Sequence, residues 1–357
     1  MTRGALSLVL LLGTVNAACS GYRPPPAAPL RGDAVSSGGP TQVWAARAGR
    51  RLTGRVVVQK GVIYGAGVDR KVYAVDLASG AVLWSSRLGG LVAGGVLVAG
   101  DTVYAASSRP EGRIYALNRS NGKRFWRTKT GPVSAPLALV GGTLVASAQR
   151  GELLGLMPED GSIRWRRRMG MARAAPVGTE DGSVVVATVD SLYRVSADDG
   201  TVSHRVRSPG TVVSPWVSFH GSLVAGTTDS QVVAIDPADL RSRWSLRVDA
   251  PVLGSPAAIG DTLYAASRRG TLYRIAPGDP PTLELVVELE WPVTAPLGVV
   301  GDRILLGGAD GTVRALRPDG TEEWRVQLWR PIELRPLALE DGLLAIGGNG
   351  DLHRYRQ

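Results

Sequence analysis

IYALNRSNGKRFW, residues Ile114–Trp126, is a phrase that the chain repeats. An alternating run, Ile114-Tyr115-Ala116-Leu117, meets a turn at Asn121-Gly122 and a second run closing on Trp126. Asn-Gly between apolar runs predicts a β-hairpin, because both residues accept a positive φ at little cost. VYAVDLASGAVLW (Val72–Trp84) matches it, and LLGLMPEDGSIRW (Leu153–Trp165) follows more loosely. VVAIDPADLRSRW (Val232–Trp244) has Leu240 where the turn glycine belongs. Two weaker copies carry His204 and a residue near Leu285 in the tryptophan place, and the last copy ends on Trp324.

Trp44, Trp84, Trp126, Trp165, His204, Trp244, the Leu285 region and Trp324 make eight marks, 280 residues apart in seven steps of about 40. Self-similarity at that period marks a propeller or solenoid. A second ladder keeps the same step: Pro136, Pro176, Pro215, Pro256, Pro296 and Pro336 each sit in a short apolar run ahead of the next hairpin. Proline in a sheet is confined mainly to edges, and the innermost strand of a propeller blade is such an edge. Turn pairs such as Gly141-Gly142 and Asp341-Gly342, then Arg150-Gly151 and Asn349-Gly350, divide each unit into four strands. The expected fold is therefore all-β: an eight-bladed β-propeller of four-stranded antiparallel blades. The last copy stops after three strands, and Trp44 in Thr41–Arg47 is a lone outer strand. Pairing the two closes the ring; seven blades is the alternative if the Leu285 unit is not one.

The remainder of the chain reads as export and tether. Met1–Ala18 has Arg3, an apolar Leu6–Leu12 and small residues Asn16-Ala17-Ala18, the pattern of a signal peptide. Cys19 follows directly and is the single cysteine, so no intramolecular disulfide is available. Residues 19–40 are Pro/Gly/Ser-rich without alternation, a flexible tether, and the domain runs from 41 to 357. The net charge of +10 invites a nucleic-acid reading. Its arginines are instead spread over turns and outer strands with no recognition motif, which favours a solvated basic surface facing anionic lipid or an acidic partner.

Cys19 behind an apolar run resembles the lipobox of bacterial lipoproteins, in which that cysteine is lipidated. Asn16 stands where that pattern has Leu, so ordinary signal-peptide cleavage is the alternative. By the same resemblance, Ser20 after the cysteine implies the outer rather than the inner membrane. Ala74, Asp76, Gly80 and Trp84 resemble the tryptophan-docking repeat of quinoprotein-type propellers, with Ser79 where Thr is usual. Ala116, Gly122 and Trp126 match again, as do Ala234, Asp236 and Trp244. Physically the motif is scaffold: a buried indole removes on the order of 200 Å² from water and would pin one blade to the next. Within that superfamily, a lipobox-like start and one eight-bladed domain are similar to BamB-type lipoproteins. That resemblance implies a non-enzymatic periplasmic scaffold, a monomer within the barrel-assembly complex, held to the membrane by its lipid anchor and bound to no nucleic acid.

The competing reading is a quinone-dependent oxidoreductase or a degenerate relative, and a third is a generic envelope binding propeller. The enzymes of the quinoprotein resemblance carry a disulfide between adjacent cysteines, which Cys19 alone cannot form. No cofactor, metal or catalytic site is expected. His204, His220 and His353 show no metal spacing, and His204 reads as a packing substitute in a tryptophan place. Acidic pairs such as Asp198-Asp199 fall in hairpin turns, where aspartate is favoured by turn geometry. One chemical asymmetry stands out on the inner strands. The residue before each ladder proline is small, except for Arg335, and unit one puts Arg55 at the proline position itself. Those units would be neighbours across the closure, so Arg55 and Arg335 are either a small anion site or two snorkelling arginines paired with Glu333.

Overall fold

The computed structural model describes residues 38–110 and 112–357. The expected signal peptide, the lipidation position Cys19 and most of the tether lie outside the described residues.

Among those described, 32 strands form eight sheets of four. Blade 1 shows how the sequence makes the unit. Its two middle strands, Val62–Ala66 and Lys71–Asp76, are buried along nearly their whole length. Side chains on a strand alternate between faces, so continuous burial requires both faces of the blade to be covered. Its outer strand, Val82–Arg87, returns to an alternation of exposed and half-buried residues. The apolar core is accordingly divided into eight clusters, each shared by two consecutive blades, from Tyr64 against Val103 to Leu344 against Ile63.

Inner strands are two or three residues long in seven blades; in blade 2 the inner strand is Gly90–Ala99. The six ladder prolines stand one or two residues before these strands rather than within them. Their fixed φ and missing N–H thus shape the approach to the axis without costing a ladder bond.

Closure follows the expectation. Thr41–Arg47 pairs antiparallel with Asp351–Arg356, and with Leu337–Leu339 and Gly342–Ile346 these strands make blade 8. The ring has two faces. One carries the connections from each outer strand to the next inner strand, bonded to the turns between second and third strands, as in Val68 N–H to the Arg51 carbonyl (3.0 Å) and Leu88 N–H to the Arg70 carbonyl (2.7 Å). The other carries the remaining turns, including the hairpin turns that the sequence advertised.

Deleting Thr41–Arg47 would expose the Asp351–Arg356 edge and remove the Trp44 indole together. Edges are aggregation templates, and burial of one indole contributes up to roughly 5 kcal/mol at about 25 cal/mol per Å². That deletion is expected to lower the melting temperature by more than 10 °C and reduce solubility, whereas deletion of residues 20–37 leaves melting unchanged. Equal melting of both truncations with the full chain would refute closure by the terminal strand.

Candidate functional site

Two places carry the residues singled out from sequence: the seams between blades and the axial channel.

At the seams the tryptophans are structural. Trp44 Nε1 donates to the Leu77 carbonyl (3.0 Å), Trp84 to Arg119 (2.9 Å), Trp126 to Pro158 (2.9 Å) and Trp165 to Ala197 (2.8 Å). In each case the acceptor belongs to the hairpin turn of the following blade. The turn glycine lies under the ring: a Cβ on Gly122 would stand 2.5 Å from Trp84 Cε3. Gly122 also has φ +70°, so conformation and contact both require glycine there. Within its own blade the indole stands opposite a small residue in five cases: Trp84 pairs with Ala74, Trp126 with Ala116, Trp165 with Gly155, Trp244 with Ala234 and Trp324 with Ala315, whereas Trp44 pairs with Arg354. Trp244 packs into the seam between blades 5 and 6, and Trp324 is buried in that between blades 7 and 8.

The degenerate marks need two corrections. His204 is exposed and packs no seam. Its place is filled from the other side by Leu240, which is 1 % exposed and adopts φ +64°, the backbone conformation of the glycine that it replaces. At this seam the turn residue has grown into the space that the indole leaves. The other degenerate mark is Glu284 rather than Leu285: Arg274 faces Glu284 in the register that elsewhere pairs Ala with Trp, and Nε of Arg274 donates to it at 3.0 Å. Arg194, opposite His204, likewise takes an ion pair with Asp181. Arginine also stands at this place in blade 8, where Arg354 faces Trp44, so it does not depend on loss of the indole.

Three tryptophans fall off the 40-residue ladder, which is the signal that sets them apart: Trp216, Trp291 and Trp329. Trp216 is buried between blades 4 and 5. Trp291 covers the guanidinium of Arg314, 4.1 Å from the ring centroid. Arg314 is wholly buried and also reaches Asp310 (2.7 Å) and Glu322 (3.3 Å). Burial raises the pKa of Glu322. This ion cluster sits inside blade 7 and was not foreseen, because its members are spread over ordinary turn and strand positions. The turn acids are anchors: hydrogen bonds from Thr201 Oγ1 (2.7 Å) and N–H (2.9 Å) bring Asp199 down to about 2.

At the axis the inner wall is built from the small residues before the ladder prolines. A Cβ on Gly94 would stand 2.4 Å from the Ala135 carbonyl oxygen, so neighbouring inner segments touch backbone to backbone. Arg55 joins this ring through its N–H to the Gly94 carbonyl (3.1 Å) and its carbonyl to Val96 N–H (3.0 Å). Arg55 and Arg335 are both exposed residues, each partly desolvated by the protein around it. That desolvation lowers the pKa of Arg55; it lowers that of Arg335 too, with the nearby charge of Arg55 adding to it. Arg335 Nη2 donates to Ser255 Oγ, two blades away. Glu333 is engaged by Arg51 (2.5 Å), so the expected pairing with the channel arginines does not form.

Among the described residues no three His, Cys, Asp or Glu side chains converge as metal ligands, and the charged groups brought together at the axis are cations. This donor set does not fit a Ca²⁺–quinone centre, which requires carboxylates around the metal.

No curated protein matches the sequence. Among solved structures, BamB from Moraxella catarrhalis superimposes with a TM-score of 0.75 at 17% identity, covering 90% of this chain and 98% of that one. The computationally designed Ika8 protein gives 0.71 at 12% identity over 87% and 98%. Quinohemoprotein alcohol dehydrogenase from Comamonas testosteroni gives 0.73 at 13% identity over 89% and 76%. At these identities the likenesses establish the propeller fold.

The seam account yields a contrast. Leu240→Gly is expected to destabilise by about 1–3 kcal/mol, a cavity cost partly offset by relief at positive φ. His204→Ala should fall within about 0.5 kcal/mol of the parent. The triple change Arg194→Ala, His204→Trp, Leu240→Gly should restore most of the loss by rebuilding the indole seam. Urea denaturation measures all three; a large effect of His204→Ala would refute the substitution by Leu240.

The family described as outer membrane protein assembly factor BamB matches residues 33–173, 110–251 and 209–283, together most of the chain, and the protein belongs to that family.

Proposed function

We propose that the protein is a non-enzymatic periplasmic scaffold of outer-membrane β-barrel assembly, anchored through Cys19. Family membership supports the assembly role, and one surface observation carries the scaffold reading. Leu91, Met171, Val189, Leu253 and Trp329 are 40%, 49%, 47%, 45% and 72% exposed. All five lie on a single face of the ring: Met171, Leu253 and Trp329 in its connections, Val189 in a turn between second and third strands, and Leu91 at the start of the inner strand Gly90–Ala99. Exposed arginines stand among them, including Arg109, Arg173, Arg268 and Arg330. Leu91 also lines an open depression with Val68, Arg70, Arg109 and Pro132. Apolar anchors within a rim of arginine are the composition of protein interfaces, and tryptophan and arginine dominate their energetics. The remaining exposed apolar side chains, such as Leu83 and Phe125, lie mostly on outer strands round the rim.

The partner in this reading is the periplasmic part of the central barrel component. The oxidoreductase reading draws support from the shared fold of the quinohemoprotein alcohol dehydrogenase, but the axial donor set described above opposes it.

Trp329→Ala combined with Leu253→Asp should reduce co-purification of the barrel component from detergent-solubilised envelopes at least tenfold, with melting unchanged. An undiminished yield would reject this face as the docking surface. Palmitate labelling should mark the parent and not Cys19→Ala, which should be released from membranes; equal labelling would reject the anchor.

A further inference from the structure

The axial channel offers a second, independent site. Arg335 and Arg55 approach it from blades 8 and 1, the two blades that meet at the closure. Both precede their short inner strands, Leu337–Leu339 and Val57–Gln59, and so stand towards the face that carries the exposed apolar side chains. Each guanidinium is an obligate cation with five donors. Among the described residues neither has a carboxylate within ion-pair distance; the nearest candidate in sequence, Glu333, is held by Arg51. Arg335 spends one donor on Ser255 Oγ, which steers its fork across the channel. On the neighbouring wall Gly94 stands in backbone contact with Ala135, and the residues before the other ladder prolines are small.

Other cations of the structure show by contrast what is unusual here. Arg314, though wholly buried, has Asp310 and Glu322 beside it. Arg194, Arg274 and Arg354 each meet a carboxylate. At the axis, among the described residues, two guanidiniums near enough for the charge of one to act on the other have no carboxylate in ion-pair contact. Like charges in a partly desolvated place repel more strongly than in water. An anion bridging them would turn that repulsion into two charge-assisted hydrogen-bonding pairs.

We propose that the channel mouth at Arg55 and Arg335 binds a small free oxoanion, a phosphate or carboxylate group, as a bridge between the first and last blades. The planar fork of arginine suits both groups, because each presents two coplanar oxygens at the spacing of two N–H donors. The Ser255 hydroxyl is a further donor within reach of the same place. Because the two arginines belong to the first and last blades, which also share an apolar cluster, occupancy would add a tie across that seam. The inference stands apart from the docking face and survives if the partner assignment fails.

The test uses the full purified chain, titrated by calorimetry with inorganic phosphate and, separately, with malonate, against sodium chloride at matched ionic strength. The expected result is one-to-one binding of at least one oxoanion, accompanied by a rise in melting temperature that chloride does not produce. Phosphate without malonate, or the reverse, identifies which oxoanion the site takes. Arg55→Gln and Arg335→Gln should each weaken binding at least tenfold, and Arg335→Lys should fall between parent and Gln. In anion-poor buffer both Gln variants should melt at or above the parent temperature, since each removes an unrelieved repulsion. Binding equal in parent and double variant, or no binding beyond chloride, would overturn the proposal. So would Gln variants that melt well below the parent without anion, because the arginines would then be structural.

Discussion

An indole resting on a glycine is the contact on which the ring depends. A propeller has no single core; each blade is a thin sheet whose two faces are covered only by its neighbours, so stability is the sum of its seams. Each seam must fix both a distance and a register. The tryptophan does the first by area and the second by its Nε1 bond to one carbonyl in the next hairpin turn, as Trp84 does to Arg119. The glycine beneath makes room for the ring and turns the chain at the same point. Two properties that look separate in the sequence, a turn residue and an aromatic, are therefore the two halves of one contact between adjacent blades.

This explains why so much of the fold was legible and where reading failed. Hairpin turns and tryptophans are local signals at a fixed interval, and Thr41–Arg47 was recognisable as an outer strand because Trp44 marks it. The failures lie where the contact was rewritten. Leu240 replaces the glycine thirty-six residues after His204 replaces the tryptophan; read singly, each is a lapse in the motif, and only the structure joins them. Glu284 was missed because nothing aromatic marked the strand, and its partner Arg274 sits where five of the other blades have alanine or glycine. The arginines at the axis were visible through alignment on the proline ladder. The pairing of Glu333 with Arg51 was not, since it crosses the closure over 282 positions.

Two treatments of positive charge sit in adjoining blades. Inside blade 7, Arg314 is neutralised by acids and capped by the face of Trp291, a combination of ion pair and cation–π contact. At the axis the guanidiniums are left to water and to each other. The first arrangement belongs to a packed sheet, where an unbalanced ion is very costly. The second is tolerable because the channel admits solvent, and it leaves a concentration of positive potential on a chain whose net charge is already +10.

The closing strand also sets an order on biosynthesis. Thr41–Arg47 is made before every other strand of the domain, yet its sheet partner is Asp351–Arg356, the last of them. For nearly the whole of synthesis it has no edge to join, and the growing stack of blades stays open. Seven complete sheets can assemble as they arrive, each from a local hairpin sequence of low contact order. The last pairing alone spans the length of the domain and must await release of the carboxyl end. During that interval Thr41–Arg47 is an unpaired strand, and unpaired edges are templates for wrong pairing. Maturation of the domain is therefore most exposed to misassembly at the step that joins its two ends.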